Sequence, residues 1–280
     1  MFVGFRPEEV ERLAGELEGL AWVRKLPPTN PHERLRAEAE GARFVLWKSG
    51  KMSYQGPRAR ELLEELAPQA GLVDAAPHTE VGSDEAGKGE WFGPLVVAAV
   101  AVRPDRRLAL RLDGVRDSKQ LRGDAVQRAA EAVRARAAAM NVVSIGPRRF
   151  NELWDEMHAR GETLNDLLWW GHKKALEPVL AAMRGEAALR VVLDEFDATR
   201  KAGRMFGDVL PARAVVEQRP RAEDALAVAA ASVVARAERD RQCAALARAW
   251  DLDVTKFTPQ EARAHPQARE FAKVAYLRAV

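Results

Sequence analysis

Residues 79–102 read TEVGSDEAGKGEWFGPLVVAAVAV, and this stretch decides the fold of the larger part of the chain. Its two apolar portions, residues 79–84 and 95–102, predict a pair of strands that flank a glycine-rich loop at 87–89. Strands and helices alternate after it: strands at 141–145, 189–194 and 214–217, and helices at about 118–140, 150–157, 164–183 and 224–250. This alternation predicts an α/β fold in which helices flank a mixed central sheet.

The composition of the 280-residue chain is that of a globular protein, with 47% hydrophobic and 30% charged residues. Its single cysteine, Cys243, excludes an internal disulfide framework and a thiolate metal cluster. The longest apolar run, residues 95–102, is far shorter than the roughly 20 residues of a membrane-spanning helix. Charged residues begin at Arg6, so no secretory leader is visible. We therefore expect a soluble, cytoplasmic protein without a membrane partner.

The first 66 residues carry a different pattern and predict a small α+β domain. Apolar residues at helical spacing predict a helix over residues 7–20. Alternating residues then predict strands, and a second helix follows: the strands cover 34–40, 43–48 and 51–55, and the helix covers 58–66. Residues 67–77 (APQAGLVDAAP) lack periodicity and predict a linker, which leaves residues 78–280 for the larger domain.

Positive charge is concentrated within the N-terminal domain. Residues 1–75 hold 11 Lys and Arg against 12 Asp and Glu, whereas residues 34–60 alone hold 7 basic against 2 acidic residues. Positive charge focused on one element fits contact with a polyanion such as nucleic acid. An ordinary solvated hairpin is the alternative interpretation.

Carboxylates are the candidates for chemistry, because the chain has no Walker loop, no His-Glu-x-x-His motif and no cysteine pair. Asp84 and Glu85 end one apolar strand, Asp194 ends another, and Glu223 precedes the Ala-rich helix. Acids at the edge of an apolar sheet repel one another and need cations. Two Mg²⁺ or Mn²⁺ ions, roughly 3.5–4 Å apart, would activate a water and stabilise the leaving oxygen of a phosphodiester.

Each of these acids taken singly could be a turn or cap residue, so their combination carries the hypothesis. Adjacent strand residues also face opposite sides of a sheet. Asp84 and Glu85 therefore share a site only if the strand twists out at its end.

Several segments resemble one known family. Residues 82–94 (GSDEAGKGEWFGP) resemble the first motif of the type 2 ribonucleases H, and the tail of this motif is closer to ribonuclease HIII than to HII. Asp117-Ser118-Lys119 matches the Asp-Ser-Lys motif of the family. Residues 47–56 (WKSGKMSYQG) are similar to the hairpin of the HIII substrate-binding domain. Further similar segments are residues 150–153, 164–167, 171–176, 192–196 and 229–236.

The resemblance implies a ribonuclease H-like catalytic domain and an N-terminal TATA-binding-protein-like domain. The implied activity is endonucleolytic hydrolysis of the RNA strand of RNA–DNA hybrids by a monomer that uses Mg²⁺ or Mn²⁺, leaving 5′-phosphate and 3′-hydroxyl ends. The implied catalytic and metal-binding residues are Asp84, Glu85, Asp194 and Glu223, with Asp224 as the alternative fourth acid. The implied substrate-binding residues are Gly87, Lys88, Gly89, Ser118, Lys119, Trp47, Lys48, Lys51, Tyr54 and Gln55.

Three other functions stay open at this point. One is HII-like incision at single ribonucleotides embedded in DNA, and the extra N-terminal domain favours HIII over it. A non-catalytic hybrid-binding protein would not need the four acids, and a DNA integrase or resolvase of related fold would leave the Gly-Lys-Gly loop unexplained. Two details also stay open: Trp47 and Tyr54 could be core residues, and the segment from Thr255 departs from the family pattern.

Overall fold

Two five-stranded sheets organise the residues that the computed structural model describes, which are 2–72, 77–116, 118–195, 197, 199–253 and 256–277. One sheet lies in the N-terminal part of the chain and the other in the remainder. Each sheet is packed against helices, as the sequence predicts.

The N-terminal sheet is antiparallel throughout and has the strand order β1-β5-β4-β3-β2. Its strands are β1 (Phe2–Gly4), β2 (Arg24–Leu26), β3 (Glu33–Ala39), β4 (Ala42–Trp47) and β5 (Lys51–Gln55), and its helices are α1 (Pro7–Gly19) and α2 (Ala59–Leu66). The three central strands and both helices were expected. The two edge strands were not, because three residues are too few to establish an alternating pattern.

The two helices cover one face of this sheet. Phe44, Leu46 and Met52 are completely buried on that face and share a core with Leu13 of α1 and Leu63 of α2. Burying a side chain of this size contributes about 1.5–3 kcal/mol relative to exposure, so the core holds the helices to the sheet. The opposite face, the open face of the sheet, carries the alternate residues of each strand and is polar.

The first half of the expected linker is packed against this core. Ala67, Ala70 and Leu72 are buried in it, and the Arg12 Nε donates to the Ala70 carbonyl at 2.9 Å. Residues 73–76 of the expected linker lie outside the described residues. The division at 66 and 78 therefore stays a prediction, and the packed N-terminal unit itself reaches Leu72.

The second sheet is mixed and has the order β10-β9-β6-β7-β8. Strands β6 and β7 and strands β7 and β8 pair antiparallel, whereas β6, β9 and β10 run parallel. The strands are β6 (Thr79–Ala86), β7 (Leu95–Val102), β8 (Ala139–Ile145), β9 (Leu189–Asp194) and β10 (Ala214–Arg219). The helices are α3 (Pro104–Leu112), α4 (Asp124–Arg136), α5 (Pro147–Ala159), α6 (Leu164–Ala182), α7 (Ala202–Met205), α8 (Leu226–Ala249), α9 (Pro259–Ala264) and α10 (Ala268–Phe271).

Helices cover both faces of this sheet, which explains the unbroken apolar sequence of β7. Val96, Ala98 and Val100 point toward α4 and α8, while Val97 and Ala99 point toward α6. On the α8 side the approach is very close at Gly82. A Cβ placed there would lie 2.4 Å from the Val228 nitrogen, so glycine allows α8 to lie directly on β6.

The helix predicted over residues 118–140 is present as α4 (Asp124–Arg136), and its predicted bounds are wrong at both ends. Ser118–Gln120 form a 3₁₀ turn, Gly123 adopts a φ of 52° ahead of α4, and Met140 already belongs to β8. Helix-favouring residues concealed these breaks: residues 119–122 (KQLR) favour helix ahead of Gly123, and Ala137 to Ala139 favour helix beyond Arg136. Asp117, the expected cap, lies outside the described residues.

Helix α3 connects the second sheet to the N-terminal unit. The Tyr54 hydroxyl donates to the Leu112 carbonyl at 2.8 Å, and Arg111 donates to Glu9 at 3.0 Å. Asp113 accepts from Arg60 of α2 and from Arg136 of α4. The two sheets are thus joined through α3 and Asp113 by these polar contacts and by Leu112, which is buried in the N-terminal core. None of the helices in the described ranges is long and apolar enough to cross a membrane.

Candidate active site

Asp84 lies near the end of β6 and carries the most perturbed carboxyl of the sheet edge. Burial, the neighbouring charge of Glu85 and the charge of Asp194 raise its pKa from 3.8 to about 7. A hydrogen bond from Ser232 of α8 and the Glu85 amide, which donates to Asp84 Oδ1 at 2.9 Å, oppose this shift without cancelling it. Negative charge at this position is therefore undercompensated by the protein itself.

Glu85 occupies the other face of β6 and is compensated. Burial disfavours its charged form, but the hydrogen bond and charge of His172, together with Lys88, outweigh burial and lower its pKa. His172 Nε2 lies 3.1 Å from Glu85 Oε2, and Lys88 Nζ lies 3.5 Å from Glu85 Oε1. Asp84 thus faces α8 and Glu85 faces α6, as strand alternation requires. Both lie beyond Ser83, where the pairing of β6 with β9 ends, and their charges act on each other at this strand end.

His172 is a site residue that the sequence reasoning missed. It is only 2% exposed, and its Nδ1 lies 2.8 Å from the Ser83 hydroxyl while Nε2 contacts Glu85. A ring held at both nitrogens fixes the orientation of the carboxylate that it contacts. The available signal was its position on α6: Leu168, His172 and Ala175 share one helical face, so a polar residue stands in an apolar stripe.

Asp194 ends β9 beside Asp84. Strands β6 and β9 are parallel with Ser83 opposite Leu193, which brings the following residues of both strands to one edge. The Asp194 Oδ1 accepts a hydrogen bond from the Ala222 amide at 3.1 Å, so the turn before α8 orients it. The charges of Glu85 and Asp194 therefore both act on Asp84.

Glu223 and Asp224, the two candidates for the fourth acid, have different surroundings. The Glu223 side chain is 17% exposed and accepts from Lys119 Nζ at 2.9 Å. Its burial would raise its pKa, but Lys119 and Arg221 lower it. Asp224 is 72% exposed and pairs with Arg219. The sheltered position of Glu223 favours it over Asp224.

Asp84, Glu85, Asp194 and Glu223 form a carboxylate edge of the mixed sheet, and its donor chemistry fits a hard cation. Asp84, Glu85, Asp194 and Glu223 offer only carboxylate oxygens, which Mg²⁺ and Mn²⁺ prefer. In the part of the chain that the structure describes, no three His, Cys, Asp or Glu side chains already stand in an arrangement that fits a metal ion. The four acids match the cation in donor chemistry. Two of them, Glu85 and Glu223, are paired with Lys88 and Lys119 in this structure.

The glycine-rich loop after β6 has the backbone conformation that only glycine adopts easily. Gly87 and Gly89 have φ angles of 89° and 75°. A Cβ on Gly87 would lie 2.2 Å from the Pro94 carbonyl oxygen, so the two ends of the loop pack in direct contact. This loop presents backbone and the Lys88 side chain beside Glu85.

The Ser118 side chain does not face an open surface, and its role as a substrate contact stays a prediction. It is buried, and its hydroxyl lies 2.8 Å from that of Ser232, the residue that hydrogen-bonds Asp84. Ser118 therefore contacts the serine that hydrogen-bonds Asp84. Its neighbour Lys119 is exposed and reaches Glu223.

The expected contacts of the N-terminal hairpin divide between two faces of the first sheet. Trp47, Lys51 and Gln55 lie on the face opposite the helices, whereas Tyr54 lies on the helical face. Tyr54 is partly buried against the core and donates to Leu112, which favours a packing role, and its role as a substrate contact stays a prediction. Lys48 is exposed just after β4 and donates to the Pro31 carbonyl at 3.0 Å.

The comparisons with known proteins agree on one family. A protein-family model described as Ribonuclease HII matches residues 81–275. Ribonuclease HIII of Protochlamydia amoebophila is 30% identical over 237 residues, which cover 81% of this chain and 74% of that protein. Ribonuclease HIII of Lysinibacillus sphaericus is 28% identical over 253 residues, which cover 81% of this chain and 73% of the relative.

Solved structures show the same fold. RNase H3 of Aquifex aeolicus superposes with a TM-score of 0.58 at 23% identity, covering 99% of this chain and 100% of the other. Bst-RNase HIII, solved in complex with Mn²⁺, superposes with a TM-score of 0.61 at 23% identity, covering 98% and 96% of the two chains. Both coverages include the N-terminal sheet as well as the mixed sheet.

Proposed function

The chain belongs to the ribonuclease HII family, and from this membership and the carboxylate edge we propose that it is an endonuclease that hydrolyses the RNA strand of RNA–DNA hybrids. The products would carry 5′-phosphate and 3′-hydroxyl ends. The observation that carries the proposal is Asp84, whose pKa is raised to about 7 between Glu85 and Asp194 at the end of β6. Undercompensated acids at such an edge are typical of sites that work with cations and phosphates.

We assign four carboxylates, Asp84, Glu85, Asp194 and Glu223, to holding Mg²⁺ or Mn²⁺. When bound, divalent cations of this kind activate a water as nucleophile and stabilise the leaving oxygen of a phosphodiester. The protein's own contribution is orientation. Ser232 holds Asp84, the Ala222 amide holds Asp194, and His172 holds Glu85.

Selection of RNA is assigned to the glycine loop. RNA differs from DNA by the 2′-hydroxyl, which donates and accepts hydrogen bonds. Glycines at 87 and 89 allow the backbone to approach a ribose closely, because no Cβ intervenes. Lys88 and Lys119 add positive charge at the same edge, where it attracts the phosphates of the substrate.

The open face of the N-terminal sheet is assigned to binding the hybrid. Trp47, Lys51 and Gln55 lie on this face, and the exposed Lys48 lies beside it. Lysines on an exposed surface give sequence-independent affinity for phosphates. The N-terminal unit, which packs as far as Leu72, would then be the binding domain, and residues 78–280 would be the catalytic domain. A cytoplasmic monomer remains the prediction from the sequence.

Cleavage assays on three end-labelled duplexes test the proposal. The substrates are an RNA–DNA hybrid, the DNA duplex of the same sequence, and that duplex with one embedded ribonucleotide, each with Mg²⁺, with Mn²⁺ and with chelator. We expect metal-dependent cuts in the RNA strand of the hybrid and an intact DNA duplex. Cleavage of the hybrid in excess chelator, or no cleavage with either metal, would contradict the proposal.

Incision at single ribonucleotides in DNA is the second candidate. It is favoured by the match of residues 81–275 to the family described as Ribonuclease HII. The same assay separates the two functions. Faster cleavage of the duplex with one ribonucleotide than of the hybrid would assign the protein to this second function.

A further inference from the structure

We propose that Lys273 is a positioning residue that sets the glycine loop in place for reading the RNA strand. The proposal rests on the function assigned to that loop above. The loop in question runs from Gly87 to Pro94 and joins β6 to β7, so it begins directly after the two acids of β6. Lys273 lies far away in the sequence, in the C-terminal segment.

Lys273 is a lysine with no exposure to solvent, which requires that its ammonium group find partners inside the protein. The Nζ donates to the Gly93 carbonyl at 2.6 Å and to the Pro94 carbonyl at 3.2 Å. These two carbonyls are consecutive and belong to the far end of the loop. A buried lysine whose hydrogen bonds go to the backbone of one loop fixes the position of that loop.

The main chain around Lys273 reinforces this contact. The Lys273 amide donates to the Trp91 carbonyl at 2.7 Å, and the Gly93 amide donates to the Phe271 carbonyl at 3.2 Å. The C-terminal segment therefore pairs with the loop like a short strand, with a bridge between Phe92 and Ala272. Side chain and backbone of one segment hold the same stretch of loop.

The Pro94 carbonyl transmits this position to the glycines. It accepts from Lys273 Nζ, and it lies against Gly87, where an added Cβ would come within 2.2 Å of its oxygen. A shift of Pro94 would therefore move Gly87. Lys88 follows at once and lies beside Glu85, so the displacement would reach the acidic edge.

Asn151 of α5 anchors the C-terminal segment from the opposite side. Its amide nitrogen donates to the Ala272 carbonyl at 2.8 Å, and its side-chain oxygen accepts from the Val274 amide at 2.9 Å. Asn151 is fully buried, so these bonds are protected from water. The line of contact thus runs from α5 through residues 272–274 to the loop.

Helix α8 also contacts the loop, through residues other than Lys273. Glu90 pairs with Arg239, and a Cβ on Gly93 would lie 2.2 Å from the Cys243 sulfur. Glu90 is 48% exposed, so replacing it disturbs the loop without opening the core. This gives a second route for testing whether loop position matters.

The test compares the affinity for an RNA–DNA hybrid with that for the DNA duplex of the same sequence, by fluorescence anisotropy in chelator on the full-length protein. For Lys273→Met we expect the ratio of the two affinities to fall at least fivefold toward one, because the loop that reads the ribose is displaced. Removal of the positive charge alone would weaken both duplexes equally and leave the ratio unchanged. Lys273→Gln, whose amide still donates to carbonyls, should recover most of the preference.

Thr258→Ala is the matched control. Thr258 caps α9 in the same C-terminal segment, accepting from the Glu261 amide at 3.2 Å, and its contacts lie within that helix end rather than in the loop. It loosens the segment locally, so its ratio should stay within twofold of that of the wild type. If the affinity ratio falls equally in Thr258→Ala and Lys273→Met, Lys273 only stabilises the C-terminal segment in general, and the positioning role is overturned.

Two further outcomes separate this inference from the proposed function. A wild-type protein that neither cleaves nor prefers the hybrid would contradict the proposed function itself. A wild-type protein that does both, with Lys273→Met keeping its full preference, would overturn the positioning role alone. If circular dichroism shows that Lys273→Met is unfolded, Lys273→Gln decides: its shorter side chain should lower the ratio about twofold, and a ratio equal to that of the wild type overturns the positioning role. Glu90→Gln, which releases the loop from α8 alone, should lower the ratio as well.

Discussion

The carboxylate edge of the mixed sheet and the open face of the N-terminal sheet use charge in opposite ways. At the edge, burial and neighbouring acids raise the pKa of Asp84 to about 7, and each acid is oriented by a specific partner. On the open face, Arg43 and Lys51 are exposed, and Arg43 shares Glu38 with Arg24. Exposed pairs of this kind contribute little each, whereas desolvated charges interact strongly. Chemistry should therefore depend on single residues at the edge, and affinity on the sum of many residues on the open face.

The largest expected effect comes from Asp194→Asn. The substitution keeps the shape of the side chain and removes a charge at the edge, so turnover of the hybrid should fall roughly a thousandfold. Hybrid affinity should stay within a few-fold, because binding is distributed over the other sheet. Single-turnover cleavage and anisotropy on one preparation measure both; wild-type turnover would remove Asp194 from the site.

Glu223 and Asp224 should differ by a large factor although they are neighbours. Glu223→Gln should lower turnover about a hundredfold, while Asp224→Asn should lower it less than threefold. The physical reason is that Glu223 is sheltered beside Lys119, whereas Asp224 is exposed and paired with Arg219. The comparison requires only kcat of the two variants, and the reverse order would make Asp224 the fourth acid.

Removing charge from the open face should act on binding alone. Replacing Lys48 and Lys51 together by Ala should raise KM for the hybrid several-fold and leave kcat nearly unchanged, because such contacts are equal in ground and transition states. The log–log salt dependence of binding should flatten by about 0.9 for each phosphate that the variant no longer neutralises. A fall in kcat with constant KM would place these lysines in the catalytic machinery instead.

The smallest expected effect is that of Tyr54→Phe, on the helical face of the same sheet. It removes the hydrogen bond to Leu112 and should lower the free energy of unfolding by about 0.5–1.5 kcal/mol. Hybrid affinity should not change, since Tyr54 lies away from the open face. Denaturant unfolding and anisotropy check the two statements; weaker hybrid binding at unchanged stability would return Tyr54 to the substrate contacts.

The sequence predicted the features that depend on local pattern and on motifs. The apolar run at 95–102 identified β7, and the alternating residues of the hairpin identified β3, β4 and β5. The acids at the strand ends were found because an acid is conspicuous after an apolar strand. The position of Asp84 and Glu85 on opposite faces of β6 also followed from strand alternation.

The remaining features depend on tertiary contacts that no local pattern encodes. The turn at Gly123 was hidden because the residues before it (119–122, KQLR) and the alanines after it all favour helix. His172 and Ser232 act on acids that lie 87 and 148 positions before them, so their roles emerge only when α6 and α8 are placed on β6. The same holds for Lys273, whose partners lie about 180 residues earlier.

The central claim is that the carboxylate edge carries negative charge that the protein does not compensate, and that a bound divalent cation neutralises this charge. The Asp84 carboxyl has a pKa of about 7 in the folded protein and an ordinary pKa of 3.8 in the unfolded chain, so the folded state binds its proton more tightly. The stabilisation that this proton gives is complete below pH 3.8 and is lost as the pH rises through 7. At pH 8 the ionised Asp84 therefore lowers the free energy of unfolding by up to about 4 kcal/mol. This destabilisation should be absent in Asp84→Asn and reduced by bound Mn²⁺.

Thermal unfolding at pH 8, with and without Mn²⁺, measures this most directly. In chelator, Asp84→Asn should have a higher Tm than the wild type, and the difference should shrink as the pH falls toward 4. Mn²⁺ should raise the Tm of the wild type clearly and that of Asp84→Asn little. Equal Mn²⁺ shifts in both proteins, or a less stable Asp84→Asn at pH 8, would contradict the claim.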